Sequence, residues 1–445
     1  MYRRIGTLEG KVIKTPRIAM LATVALLGFA TPLKAVEVEA EVRASVGKSD
    51  NISRVPNNEI DETIVSTGFD FALTENTRRM MLDLQSNIEY VDYQDGSFDS
   101  EWIGGLRGEA AFTLIDERLR WNIMDIYGQQ LFDPLQPEVP QNREDVNFFT
   151  TGPTITFVPS VRTPVDLDLA FTRVNFERRP QDHDRLSAAL SIGRALRRES
   201  MLSLNLSNQR IVFDEDTIFS PVELYEAFIR YEVTGARNEV SVDLGYTEVE
   251  QSGFEGDGVL IRLSWVRRVS ANGVLSLTAG SQYSNQGDIF QFYGDLSTDL
   301  TSTVDGSTGA SPFQNRSLTA GYVLETDRTL FELTADWVNE DYEAGLGADR
   351  DLYRGDARIR RDLSRTVYVE GGVGFSRREF PGANREDDDT ILGVGVGFRL
   401  TPGFSISLEH RQFRRDSSTP AADFTENRTF LSFAYVPKWG RGQGQ

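Results

Sequence analysis

Apolar and polar residues alternate along this chain from position 36 onward, in block after block. In the first block Val36, Val38, Ala40, Val42, Ala44 and Val46 share one parity, while Glu37, Glu39, Glu41, Arg43 and Ser45 share the other. A period of two puts successive side chains on opposite faces of a β-strand, so each block predicts a strand with one apolar and one polar face. Twenty candidate strands run from 36–47 to 428–437, among them 119–132, 239–249, 258–268, 366–375, 390–400 and 404–413; 18 is the alternative count.

The connections fall into two kinds. Short turns follow the even strands, as at Glu75–Arg79, Ile115–Arg118 and Leu196–Glu199. Longer loops follow the odd strands, the longest being Asn285–Gln314. Charge divides the same way. The turns carry Arg78, Arg79, Arg118, Arg162, Arg197, Arg198, Arg237, Arg328 and Arg365, whereas the loops carry acidic runs such as Asp214–Asp216, Glu340, Asp341 and Glu343, and Glu386–Asp389. Strict rotation of short and long connections is the pattern of an outer-membrane barrel, with short periplasmic turns and longer outside loops. An even strand count then puts both ends of the barrel on the periplasmic side.

The fold expected is therefore all-β, a transmembrane antiparallel up-and-down barrel. In lipid every backbone group must be paired and no sheet edge left open, which a closed barrel achieves with strands that are only half apolar. This reconciles the pattern with a hydrophobic content of only 39% and a mean hydropathy of −0.35. No apolar run reaches the roughly 18–20 residues of a membrane helix. Aromatic residues near strand ends, including Tyr90, Tyr93, Trp102, Trp121, Tyr231, Tyr246, Trp265, Tyr283, Trp337 and Tyr435, are candidates for the two interfacial girdles.

Residues 1–35 have the form of an export signal, with Arg3, Arg4, Lys11, Lys14 and Arg17 before the apolar stretch Ile18–Ala30. Residues 36–437 are expected to form the barrel and 438–445 a short tail. Export through the Sec pathway to the bacterial outer membrane follows from these segments. Losing six basic residues and Glu9 with the signal would take the formal charge from −20 to −25. Beyond the signal, only Lys48 and Lys438 are lysines, so arginine supplies almost all the positive charge. The chain has no cysteine, hence no disulfide and no thiolate chemistry.

If the barrel holds, the polar parities face its lumen. Glu332 and Asp336 lie on one strand, Arg354, Asp356, Arg358 and Arg360 on the next, Glu409 and Arg411 on 404–413, and Glu226 and Arg230 on 223–233. Unpaired charges in a dry core are costly, so such rows imply a wet interior in which fixed charge tunes passage. Arg–carboxylate pairs that brace the wall are the plainer account of the same rows. The loop 285–314 has no basic residue, and either constricts the mouth or stands as a surface loop. The run Glu386–Asp389 is expected as a solvated acidic loop, since its spacing is not that of a calcium loop.

Catalytic motifs are missing: there is no G-x-S-x-G, H-E-x-x-H or P-loop. The only histidines are His183 and His410, and His410 shares the lipid-facing parity of Phe404, Ile406 and Leu408. No enzyme, cofactor or metal site is expected, and the negative charge excludes nucleic acid as a partner.

The opening of the expected mature chain also resembles a known family. Its alternating strand, followed by Ser49-Asp50-Asn51-Ile52 and then Ile60-Asp61-Glu62-Thr63-Ile64, is similar to the start of the β-barrel porin type 2 proteins. That resemblance implies an outer-membrane barrel associated with exopolysaccharide biosynthesis and export. It implies lipid, lipopolysaccharide, exopolysaccharide and periplasmic export components as partners, and it brings no catalytic residues. The function expected is a passive channel serving exopolysaccharide export. A general diffusion porin and a lipid-modifying enzyme are the alternatives.

Overall fold

The computed structural model describes residues 36–215, 219–284, 312–342 and 349–437. The expected signal segment, most of the loop 285–314, the tail 438–445, Asp216 and Glu343 lie outside the described residues.

Twenty strands follow one another in chain order: β1 (Glu37–Ser49), β2 (Glu62–Asn76), β3 (Met80–Tyr93), β4 (Glu101–Ile115), β5 (Leu119–Leu131), β6 (Arg143–Ser160), β7 (Thr163–Phe176), β8 (His183–Arg197), β9 (Ser200–Phe213), β10 (Val222–Thr234), β11 (Asn238–Gln251), β12 (Phe254–Arg268), β13 (Gly273–Ser284), β14 (Phe313–Glu325), β15 (Thr329–Asp341), β16 (Arg350–Asp362), β17 (Val367–Phe380), β18 (Arg385–Thr401), β19 (Phe404–Ser417) and β20 (Phe424–Tyr435). Each pairs antiparallel with the next, and β1 pairs with β20, so the sheet closes on itself. The seam between β1 and β20 is short. It has eight residue pairs, from Val42↔Tyr435 to Ser49↔Arg428, against thirteen between β1 and β2.

Alternation decides which face of each strand points out. On β10 the exposed Tyr225, Ile229 and Tyr231 share a parity, and Glu226, the buried Phe228 and Arg230 take the other. Register carries the rule around the wall: Ile229 stands beside Leu204 on one side and Leu244 on the other, all exposed apolar residues. The outer wall is thus a continuous apolar surface, far larger than a water-soluble protein leaves uncovered. Trp102, Trp121, Tyr231, Tyr246 and Tyr435 are exposed on it, as a girdle requires. Tyr93 and Tyr283 are not: both are buried on the inner face, in clusters with Ile52 and Ile64 and with Ile211 and Val249. Parity places Tyr93 there, whereas Tyr283 shares the outward parity of Leu275 and Leu277 and turns inward at the end of β13, where its ring lies against Gly256.

The short turns follow the even strands throughout. Thr77, Thr326 and Ser364 repeat one device, in which the hydroxyl accepts a hydrogen bond from a backbone N–H three residues on, at 3.0 Å in each case. This fixes a tight reversal without glycine. Opposite this end, two of the longer loops expected from sequence prove short. β11 and β12 extend toward each other until only Ser252 and Gly253 separate them, with Gly253 at φ 82°, a conformation natural to glycine. Between β17 and β18 only 381–384 remain. The run Glu386–Asp389 lies on β18, its side chains pointing alternately out and in, and so is not a solvated loop. Four acids in a row hide the period of two from sequence, but arginines on neighbouring strands meet them.

Candidate functional site

The inner wall carries all ten lumen residues expected from sequence, on the parity opposite the exposed apolar face. They do not make one ring. Asp336 on β15 accepts a hydrogen bond from Arg354 on β16 at 3.2 Å, and Asp356 lies 3.8 Å from the same guanidinium. Glu332 stands opposite Arg358 in register, though the two form no ion pair. Arg360 instead covers the ring of Tyr368 at 4.1 Å, and Arg399 covers it at 5.2 Å while pairing with Asp362 at 2.9 Å. Tyr368 lies across Gly397, where any Cβ would strike the ring. Glu409 pairs with Arg411 on its own strand.

A separate knot forms on β10 to β12. Arg230 binds Asp243 through two parallel bonds of 2.7 and 2.8 Å, the fork geometry that suits arginine to carboxylate. Arg262 joins Glu226 at 2.5 Å, and both guanidinium groups sit 5.4 Å from the ring of Phe228. Asp243, Arg262 and Phe228 went unnamed in the sequence reading. Each follows the same alternation as Glu226 and Arg230, so parity could have found them.

The mouth at the long-loop end is a different environment. The segment 132–142, between β5 and β6, is stapled by Asn142. The Asn142 side-chain oxygen accepts from Asp133 N at 2.9 Å, and its Nδ2 donates to Asp133 O at 2.8 Å. Arg178 and Arg179 hold the base of the segment: Arg178 donates to Gln141 O at 2.7 Å and Arg179 to Leu131 O at 2.9 Å. Burial draws the Arg179 guanidinium below its ordinary pKa, and Glu144, 2.8 Å away, opposes that shift. The tip crosses to the far wall, where Arg385 of β18 donates to Leu135 O at 2.6 Å. β18 is seven strands from β5 by the shorter way round, so this contact spans the mouth. Glu138 lies 3.4 Å from both Arg54 and Arg143. Arg54, from the loop after β1, also binds the fully buried Glu426 at 2.9 Å, and Ser49 and Arg428 complete the shell of that carboxylate. Most of the loop 285–314, expected either to constrict the mouth or to stand as a surface loop, lies outside the described residues; the described segment that bridges the mouth is 132–142.

The two histidines, His183 on β8 and His410 on β19, lie on opposite faces of the wall. His183 Nε2 accepts from Arg185, which can only donate, so Nδ1 carries the proton and donates to Gln181 O at 2.7 Å. That imidazole is held neutral. His410 faces outward, as its parity implies, and hydrogen-bonds Thr429. Among the described residues no group of three or more His, Cys, Asp or Glu is placed to hold a metal ion.

A closed barrel with an apolar outer wall and a charged inner wall defines a membrane-spanning β-barrel of channel type. Residues 324–435, from the end of β14 to the end of β20, match the family described as "Putative beta-barrel porin 2". The family resemblance read at the opening of the chain is thus supported at its other end, and the chain is an outer-membrane β-barrel. No curated protein matches it. Among solved structures it is similar to a mutant of the ferric enterobactin receptor PfeA from Pseudomonas aeruginosa, at 10% identity over 90% of this chain and 80% of that one, TM-score 0.44. It is similar to the ferric citrate transporter FecA, at 9% identity over 91% and 79%, TM-score 0.46. A loop-deletion mutant of OmpT from Vibrio cholerae gives 10% identity over 91% and 100%, TM-score 0.33. At such scores the likenesses say nothing about cargo.

Proposed function

We propose that this barrel is a passive conduit for hydrophilic, extended solutes, serves exopolysaccharide export across the outer membrane, and is not an enzyme. The observation that carries this reading is the inner wall. Its charges on β10 to β12 and β15 to β19 are mostly neutralised by neighbouring charges, and the strands between them present hydroxyl and amide groups. A wall of that kind can wet a solute without binding it tightly, as conduction requires. The association with exopolysaccharide comes from the family resemblance. The long-loop end then faces outward, and lipopolysaccharide surrounds the upper outer wall.

Single-channel recording on refolded protein tests the reading. Conductance that falls when a soluble exopolysaccharide is added to the short-turn side supports it; a bilayer with inserted protein but no conductance under any condition overturns it. Sidedness has its own test. A tag after Ser418, exposed in the loop before β20, should be reached from outside intact cells, and one at Arg198 only after the outer membrane is opened.

A further inference from the structure

Two cavities open in the inner wall on either side of the Arg230 knot. One, of about 920 Å³, is lined by β4 to β10 and the turn before β5; the other, of about 360 Å³, is lined by β10 to β14. Both volumes lie within the range of roughly 300–1,000 Å³ typical of ligand pockets. Arg230 lines both cavities, and its guanidinium is already committed to Asp243. The groups left to meet a solute are chiefly neutral. In the larger cavity they include Ser191 and the side-chain oxygen of Asn205, whose Nδ2 donates to Ser203, beside Ser207, which donates to Glu226; in the smaller, Ser264, Thr278 and Ser317. Asn315, also in the smaller cavity, holds a side-chain oxygen shielded from solvent with no hydrogen-bond partner among the described residues.

Charge narrows the ligand class. Across the two cavities six carboxylates face four guanidinium groups. Asp166 and Asp168 each accept from a threonine, Thr156 and Thr154, and neither has an arginine at ion-pair distance. An anionic chain would meet net repulsion here. A neutral polyol would not: each sugar hydroxyl both donates and accepts, and so can satisfy serine, asparagine and carboxylate alike.

We propose that these two recesses are docking positions for a neutral saccharide, successive segments of which rest on either side of the Arg230 knot as the chain moves along β8 to β14. This rests on the conduit reading and goes further by naming the wall and the charge class of the solute.

The test is binding to the full chain in detergent, which does not require an open pore. Equilibrium dialysis would compare a neutral gluco-oligosaccharide, an oligouronate of equal length, and a polyethylene glycol of equal size. The neutral oligosaccharide should bind, and the other two should not. Asn205→Leu should weaken binding about tenfold, the loss expected for one or two hydrogen bonds, and Asn315→Leu should do the same from the second recess. Heat-modifiable gel migration would show that each variant remains folded, and Arg358→Gln, outside both recesses, should leave binding unchanged. Equal binding of the uronate, or full affinity in both Asn205→Leu and Asn315→Leu, would overturn the proposal. The conduit reading fails separately, through absent conductance.

Discussion

Glu409 and Glu426 lie on neighbouring strands, and each binds arginine, yet they belong to different regimes. Glu409 is partly exposed in the lumen and pairs with Arg411 alone, itself half exposed. Glu426 is fully buried at the mouth, where Arg54, Arg428 and Ser49 surround it. The same chemistry does different work in the two places. At the mouth, charges withdrawn from water must be matched by several partners, and so they tie the loop after β1 to the neighbouring β20 and to the segment 132–142, which itself reaches β18. In the lumen, water screens the charges and they only tune the wall.

The sharpest test of that contrast is stability. Glu426→Ala should cost about 3–5 kcal/mol, because it leaves the buried Arg54 with only Glu138 and the half-buried Arg428 without its carboxylate. Glu409→Gln should cost less than about 1 kcal/mol, as for an exposed pair. Urea unfolding in detergent measures both, and equal losses would break the comparison. Next in size is the pore itself. Glu138→Ala with Arg385→Gln removes the ties of the crossing segment to Arg54, Arg143 and β18, so single-channel conductance should rise severalfold; an unchanged value would mean that 132–142 does not limit flow.

Smaller effects belong to the lumen. Glu332→Gln with Asp336→Asn leaves Arg354, Arg358 and Arg360 less compensated. The ratio of cation to anion permeability should fall roughly twofold, the scale of a wet, screened charge, as read from reversal potentials in a salt gradient. The smallest effect depends on pH. Arg173, hydrogen-bonded to Asp214, holds that carboxyl below its ordinary value. A depressed pKa stabilises above the unfolded value and loses that contribution as pH falls through the folded one. Backbone exchange around Asp214 should therefore quicken as the medium is acidified below about pH 4, and Arg173→Gln should abolish the dependence.

Much of this was legible in the sequence because a barrel wall is written in a period of two. The count of twenty strands, the short turns after even strands and the inward parity of Glu226, Arg354 and Arg411 all follow from it. What the period could not carry were features set by distant residues. The partner of Leu135 is 250 positions away on β18, so nothing local marks 132–142 as the bridging segment. Where Glu386–Asp389 breaks the alternation, the strand is specified by arginines elsewhere: Arg377 for Asp388, and Arg378 and Arg415 for Asp389.

The short seam between the first and last strands has a bearing on biogenesis. Ser49 and Glu426 meet across it although 377 residues separate them, so the join depends on the slowest kind of contact to form. Any shorter nascent product would carry two raw edges, which neither lipid nor water tolerates well. Assembly is consequently all-or-none with respect to β20, and the unfinished chain must be shielded in transit until its final strand arrives.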